Sequence, residues 1–252
     1  ELGTLSRSFE AMAEALKKAD EWKRRLIVDS AHELRTPVAL LRGNLEMIRE
    51  GVYPADREHL DRLYEETLHL SSLVSELRDL ADAEAGSSSY SFEVIDLCDL
   101  LRHLMITYKA EASAKSVRLL FEKSENSSCE IIADRDKIEQ AVSNLLSNAL
   151  RYTPDHGAIR VELSQREKSV EIAVEDTGEG IAEEEKEKIF ERFYRVESDR
   201  NRATGGSGLG LAIVGEIVKA HGGEVRVREA EHSEGEGKGA RFELRLPRQS
   251  QN

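Results

Sequence analysis

Cysteine is nearly absent from this chain of 252 residues, in which Cys98 and Cys129 are the only two. They lie far apart and match no metal-ligand spacing, so no metal–thiolate site is expected. They read as packed thiols of a protein in a reducing compartment. No apolar run approaches the roughly 18 residues of a membrane-spanning helix, and no signal peptide is evident, so the chain as given reads as soluble. Positive charge is in the minority: 36 Lys and Arg against 49 Asp and Glu leave a net charge of −13. That sign argues against direct nucleic-acid binding, which takes a basic face. No internal repeat is visible. The length suits one large or two ordinary domains with a sizeable core. The chain begins without methionine and inside a helical pattern, which is expected of a fragment.

What is present first is helical periodicity. Leu2, Leu5, Phe9, Met12, Leu16 and Ala19 alternate at spacings of three and four, a heptad seam. Its register slips before a second stripe begins at Ile27, and such a slip changes local supercoiling. The second stripe runs Ile27, Ala31, Leu34, Val38, Leu41, Leu45 and Ile48. His32 and Thr36 lie beside it, four apart on the outer face, with Glu33 adjacent to the histidine. Pro37 frees the carbonyl of Glu33, so a bend is expected within a turn of His32. A turn at Val52 to Ala55 leads to a third stripe, Leu60, Leu63, Thr67, Leu70, Val74, Leu77 and Ala81. His59 and His69 fall off it and read as solvated. Two narrow seams bury little by themselves, so an antiparallel hairpin that dimerises into a four-helix bundle is expected.

The small-residue run Gly86 to Ser91 reads as a linker. Beyond it strands and helices mix: strands near 92–97, 117–122, 130–133, 158–165 and 169–175, helices over 98–114, 135–152 and 208–221, and a closing hairpin over 224–229 and 241–246. The expected class is α+β, the hairpin followed by an α/β sandwich with helices packed on one mixed sheet.

Three stretches of this second part carry chemistry. Asn144, Asn148 and Arg151 share one helix face at steps of four and three. Carboxamide oxygens suit a hard cation such as magnesium, which shares its sphere with phosphates, and Arg151 supplies positive charge to them. Asp176-Thr177-Gly178-Glu179-Gly180 follows a strand. Its glycines allow close approach of a flat ligand, and its carboxylate can accept from an exocyclic amine such as that of adenine. Gly205 to Leu211 runs into a helix start, which offers backbone donors to phosphate. It is neither a Walker A loop nor a dinucleotide fingerprint. Between the glycine turns, Phe190 to Arg195 supplies aromatics and two arginines, and the polar run 197–204 reads as a lid.

His-Glu-Leu-Arg-Thr-Pro at 32–37, Asn-Leu-Leu-Ser-Asn-Ala at 144–149, Asp-Thr-Gly-Glu-Gly at 176–180, the 190–195 segment and Gly-Ser-Gly-Leu-Gly-Leu at 206–211 stand in the order and spacing of bacterial sensor histidine kinases. The resemblance covers nearly the whole chain, and residues 2–18 also look like the end of a HAMP signalling helix. It implies a HAMP-like end over 1–19, a dimerisation and phosphotransfer hairpin over 20–86, a linker over 87–93, an ATP-binding catalytic domain over 94–247 of the gyrase and chaperone ATPase fold, and a tail over 248–252. His32 would be phosphorylated from Mg-ATP through Nε2 and pass the group to an aspartate of a response regulator. Glu33 would accept the Nδ1 proton, and the Glu33-x-x-Thr36 pattern implies a phosphatase activity as well. Asn148 with Asn144 would bind magnesium. The expected ATP-binding set is Asn144, Asn148, Arg151, Tyr152, Asp176, Gly178, Gly180, Arg195, Gly206, Gly208, Leu209, Gly210 and Leu211. The family further implies a homodimer and attachment to the plasma membrane through missing upstream segments. Two other classes are a non-catalytic nucleotide scaffold and an ATPase that hydrolyses directly. Direct ATPases of this fold place a general-base glutamate where this chain has Asn144.

Overall fold

The computed structural model describes residues 2–84, 90–124, 130–196, 207–232 and 238–248, with only part of the side chains over 2–26 and at 69, 79 and 82–84. The proposed linker core 85–89, Cys129, the lid run 197–204, Gly205, Gly206 and residues 249–252 lie outside it. So do the side chains of Leu2, Leu5, Met12, Leu16, Ala19 and His69. The chain divides into two compact units, residues 1–77 and 78–252.

The first unit is a helical hairpin. Helix α1 (Leu2–Arg49) is continuous through Pro37, and helix α2 starts at Arg57 and runs to Glu84. Helix α1 stops at Gly51 (φ 75°), where Gly51 N–H donates to Ile48 O (3.1 Å) and Val52 N–H to Met47 O (2.9 Å). This pairing satisfies the last carbonyls. Asp56 caps α2 by accepting from His59 N–H at 3.0 Å. The same carboxylate meets His59 Nδ1 at 2.8 Å, and the ring lies 5.2 Å from Tyr53. His59 is therefore a half-buried part of the cap, not the solvated residue expected, because the capping geometry places its ring over the loop. The apolar stripes are only partly covered. Pro37 and Leu73 are buried, whereas Ile27 (60%), Val38 (50%), Leu45 (54%), Leu60 (52%) and Val74 (53%) stay exposed.

In the second unit a mixed five-stranded sheet has the order β2 (Arg118–Lys123), β4 (Ala158–Gln165), β5 (Ser169–Asp176), β7 (Ala240–Pro247), β6 (Glu224–Glu229). Only β2 and β4 pair in parallel. Strands β1 (Glu93–Asp96) and β3 (Glu130–Ala133) form an antiparallel ribbon of their own. Helix α4 (Arg135–Tyr152) packs between α3 (Leu97–Ala114) and α5 (Gly210–Ala220). Strand alternation separates two faces. Val170, Ile172, Val174, Phe242 and Leu244 form an apolar face that meets the helices, and Glu171, Glu175, Arg241 and Glu243 stand on the other.

Caps fix the helix starts. Asp96 accepts from Cys98 N–H (2.8 Å), and Asp134 accepts from Lys137 N–H (3.1 Å) and Ser91 N–H (2.8 Å). The buried His221 accepts Asp134 N–H at Nε2 (3.0 Å) and so donates from Nδ1 to Ile217 O (2.8 Å). Cys98 is disulfide-bonded, which corrects the reading of packed free thiols at that residue.

Leu145 is fully buried on α4. Leu145→Ala is expected to cost about 3 kcal/mol of stability, the usual toll of a core cavity, read from urea unfolding.

Candidate functional site

In the hairpin, His32, Glu33 and Thr36 are all exposed while Pro37 is buried, so one turn of α1 shows its polar face to solvent. Nδ1 of His32 lies 3.5 Å from Nη1 of Arg35, not against Glu33. Residues three apart share a helix face and adjacent ones do not. A guanidinium can only donate, so this contact calls for a lone pair on Nδ1.

In the other unit, four segments converge. Asp176 ends β5, is 4% exposed, and accepts from Gly178 N–H at 2.8 Å and from the backbone of Ala240. Burial pushes its carboxyl up to about 6; the two backbone donors oppose this, and the charge of Glu175 adds to it. A Cβ at Gly178 would lie 2.7 Å from that carboxylate and 2.8 Å from Tyr152 O, so only glycine lets the turn close against the end of α4. Gly180 (φ 78°) continues the turn.

Asn144, Asn148, Arg151 and Tyr152 are half-buried on α4. Asn144 donates from Nδ2 to Gly210 O at 3.1 Å, tying α4 to the start of α5. Asn144 and Asn148 stand four residues apart on α4, one turn, so their carboxamides share a helix face. The Arg151 guanidinium stands 5.6 Å from the Tyr152 ring centroid. At the start of α5, the buried Leu209 occupies the cap position without a side-chain cap, and its own N–H donates to Ser207 Oγ at 3.0 Å, so the first-turn amides of the helix have no side-chain cap at their N-terminus. Gly210 and Leu211 begin that helix and are half-buried. Gly208 (φ 71°) passes so close to Phe193 that a Cβ would lie 2.8 Å from its backbone. Phe193 N–H donates to Gly208 O at 2.9 Å, which brings the 190–195 segment, with half-buried Arg195, to the start of α5. Gly206 lies outside the described residues.

Two contributors escaped the sequence reading. Lys115 Nζ donates to Leu150 O (2.6 Å) and Arg151 O (3.1 Å), closing the end of α4. Glu175 and Arg241 meet across β5 and β7. Neither contact has a local sequence signal, since the partners are far apart in the chain.

A buried carboxylate on a glycine turn, a carboxamide helix and an uncapped helix start define a nucleotide-binding α/β domain following a helical hairpin. Residues 22–86 match the His Kinase A (phospho-acceptor) domain, and residues 133–250 match the histidine kinase-, DNA gyrase B- and HSP90-like ATPase family. The chain belongs to the bacterial sensor histidine kinases. It is 38% identical over 251 residues to the signal transduction histidine-protein kinase BaeS of Escherichia coli (strain K12), covering 100% of this chain. It spans 53% of the length of BaeS. Among solved structures, the Acinetobacter baumannii histidine kinase AdeS superposes with a TM-score of 0.72 at 26% identity, covering 87% of this chain and 98% of that one. Histidine kinase ThkA, solved in complex with response regulator protein TrrA, gives 0.69 at 24% identity over 87% of this chain and 60% of that one, a likeness of fold alone.

The raised Asp176 carboxyl has a defined pH signature. With a folded value of about 6 against 3.8, its contribution to stability is complete below about pH 4 and is lost as pH rises through 6. Without nucleotide, the wild type is expected to gain up to roughly 3 kcal/mol relative to Asp176→Asn between pH 8 and pH 4. Parallel urea titrations of the two proteins measure the difference.

Proposed function

We propose that the chain is the kinase portion of a sensor that phosphorylates its own His32 from Mg-ATP and passes the phosphoryl group to an aspartate of a response regulator. The observation that carries this is the pairing, in one chain, of an exposed histidine on a phospho-acceptor hairpin with a nucleotide turn built on Asp176. Asp176 would accept from the exocyclic amine of adenine, and the start of α5 from Gly208 to Leu211 would hold phosphate. Asn148 and Asn144 would hold magnesium, which supplies charge neutralisation on the phosphates, with Arg151 and Arg195 adding to it.

Attack through Nε2 needs the proton on Nδ1 and a lone pair on Nε2. The Arg35 contact favours the opposite tautomer, so the ring must leave Arg35 and present Nδ1–H to Glu33 before transfer. Thr36, one turn on and exposed, would serve the reverse chemistry by orienting water toward a phosphorylated regulator.

The uncovered stripe of Ile27, Val38, Leu45, Leu60 and Val74 supports a homodimer in which a second hairpin covers it. Complexation of ThkA with TrrA supports a response regulator as partner. Among the described residues no helix is long and apolar enough to cross a membrane. Membrane attachment would come from upstream segments, with 1–19 as the end of a HAMP-like helix, 20–86 as the phosphotransfer hairpin, 87–93 as the linker and 94–247 as the catalytic domain.

Incubation with γ-labelled ATP and magnesium is expected to give an acid-labile, alkali-stable protein label. The label should vanish in His32→Ala, and in Asp176→Asn it should require much higher ATP. Free phosphate without protein label would favour a direct ATPase instead. Thr36→Ala is expected to keep autophosphorylation within about threefold and to lose most regulator dephosphorylation, since the hydroxyl takes no part in nucleotide binding. Regulator turnover assays separate the two rates.

A further inference from the structure

The face of the sheet turned away from the helices carries a charge cluster with no part in the function above. Arg241, buried on β7, donates from Nη1 to Glu175 (3.1 Å), from Nη2 to Glu162 (2.7 Å) and from Nε to Glu243 (3.2 Å). Glu175 immediately precedes Asp176. Its carboxylate also accepts the backbone N–H of Glu231 (3.1 Å) and of His232 (2.9 Å) and meets His232 Nδ1 at 3.1 Å. These residues begin the β6–β7 connection, whose far end returns to the same turn. Gly239 N–H donates to Gly178 O at 3.0 Å, and a Cβ on Gly239 would lie 2.2 Å from Asp176 O.

We propose that Glu175 and Arg241 are positioning residues for ATP, pinning the β6–β7 connection against the Asp176–Gly180 turn so that the turn keeps the shape that takes the base. This rests on the ATP-binding reading given above. The arrangement is coherent as electrostatics. Burial by itself would raise the Glu175 carboxyl, yet the Glu231 donor, Arg241 and the His232 donor outweigh it and hold the group low. An ionised acceptor holds backbone donors about twice as strongly as a neutral one. Arg241 is the counter-charge that helps hold the Glu175 carboxylate ionised. The connection is thus tied at both ends, at 231 and 232 by Glu175 and at 239 by Gly178.

If the pin is lost, the turn samples other shapes and apparent affinity falls with the fraction that remains competent. Glu175 touches no substrate, so the effect belongs in KM and not in kcat. Autophosphorylation of the full chain against ATP concentration tests this. Glu175→Ala is expected to raise KM about tenfold with kcat within about twofold, and Glu175→Gln, which keeps the shape and one acceptor, should recover to about threefold. Arg241→Lys should raise KM in the same direction, and Glu175→Ala combined with it should be no worse than Glu175→Ala by itself, as for residues acting as a unit. Glu162→Gln and Glu243→Gln, which touch the guanidinium but neither the turn nor the connection, should stay within about twofold of wild type. An unchanged KM in Glu175→Ala, or an equal rise in the Glu162 and Glu243 controls, overturns the proposal. Asp176→Asn run alongside separates the two levels: if it too leaves KM unchanged, the ATP-binding reading itself fails.

Discussion

A carboxylate that is almost fully buried, that of Asp176, constrains everything around it in the second unit. Asp176 sits at the end of a central strand, where desolvation disfavours its charge and two backbone donors oppose that penalty. Keeping those donors in place requires the turn to close against α4, hence a glycine at 178, and requires β7 to run in register so that Ala240 lies opposite. The helices follow from the same demand. Asn144 ties α4 to α5, and Lys115 closes the carbonyl end of α4, so the carboxamide face and the uncapped helix start are held by the elements that hold the turn. Folding itself thus fixes the orientation of these groups, and in the proposed function a nucleotide would meet them already in place.

The hairpin answers a different constraint. Its chemistry needs exposure, and its stability needs burial. One helix face leaves His32, Glu33 and Thr36 in solvent, while an adjacent stripe of Ile27, Val38 and Leu45 remains uncovered in the single chain. In the proposed dimer a second hairpin would cover that stripe. The Arg35 guanidinium bears on the same ring, since a donor 3.5 Å from Nδ1 is matched by a lone pair on that nitrogen.

What was legible in the sequence was whatever repeats or is local. Period-2 and period-3.6 patterns place β3, α4, β4 and β6 at their observed bounds, and the glycine turns mark their positions because close approach leaves no alternative residue. The candidate site was legible for the same reason, since Asn144, Asn148 and Asp176 each sit in short motifs. Contacts made by folding were not. The link of Asp134 to His221, the disulfide at Cys98 and the guanidinium at the centre of Glu162, Glu175 and Glu243 join residues with no common motif. His59 was misread because a histidine off the apolar stripe looks solvated until the cap and Tyr53 are placed around it.

In the proposed function the nucleotide unit delivers its phosphoryl group to one nitrogen of one histidine. Phosphorus NMR of the full chain after reaction with Mg-ATP at neutral pH tests it directly, with peptide mapping to locate the group. The expected product is a phosphoramidate on Nε2 of His32. A phosphoryl group on Nδ1, on another residue, or only as free phosphate would contradict it.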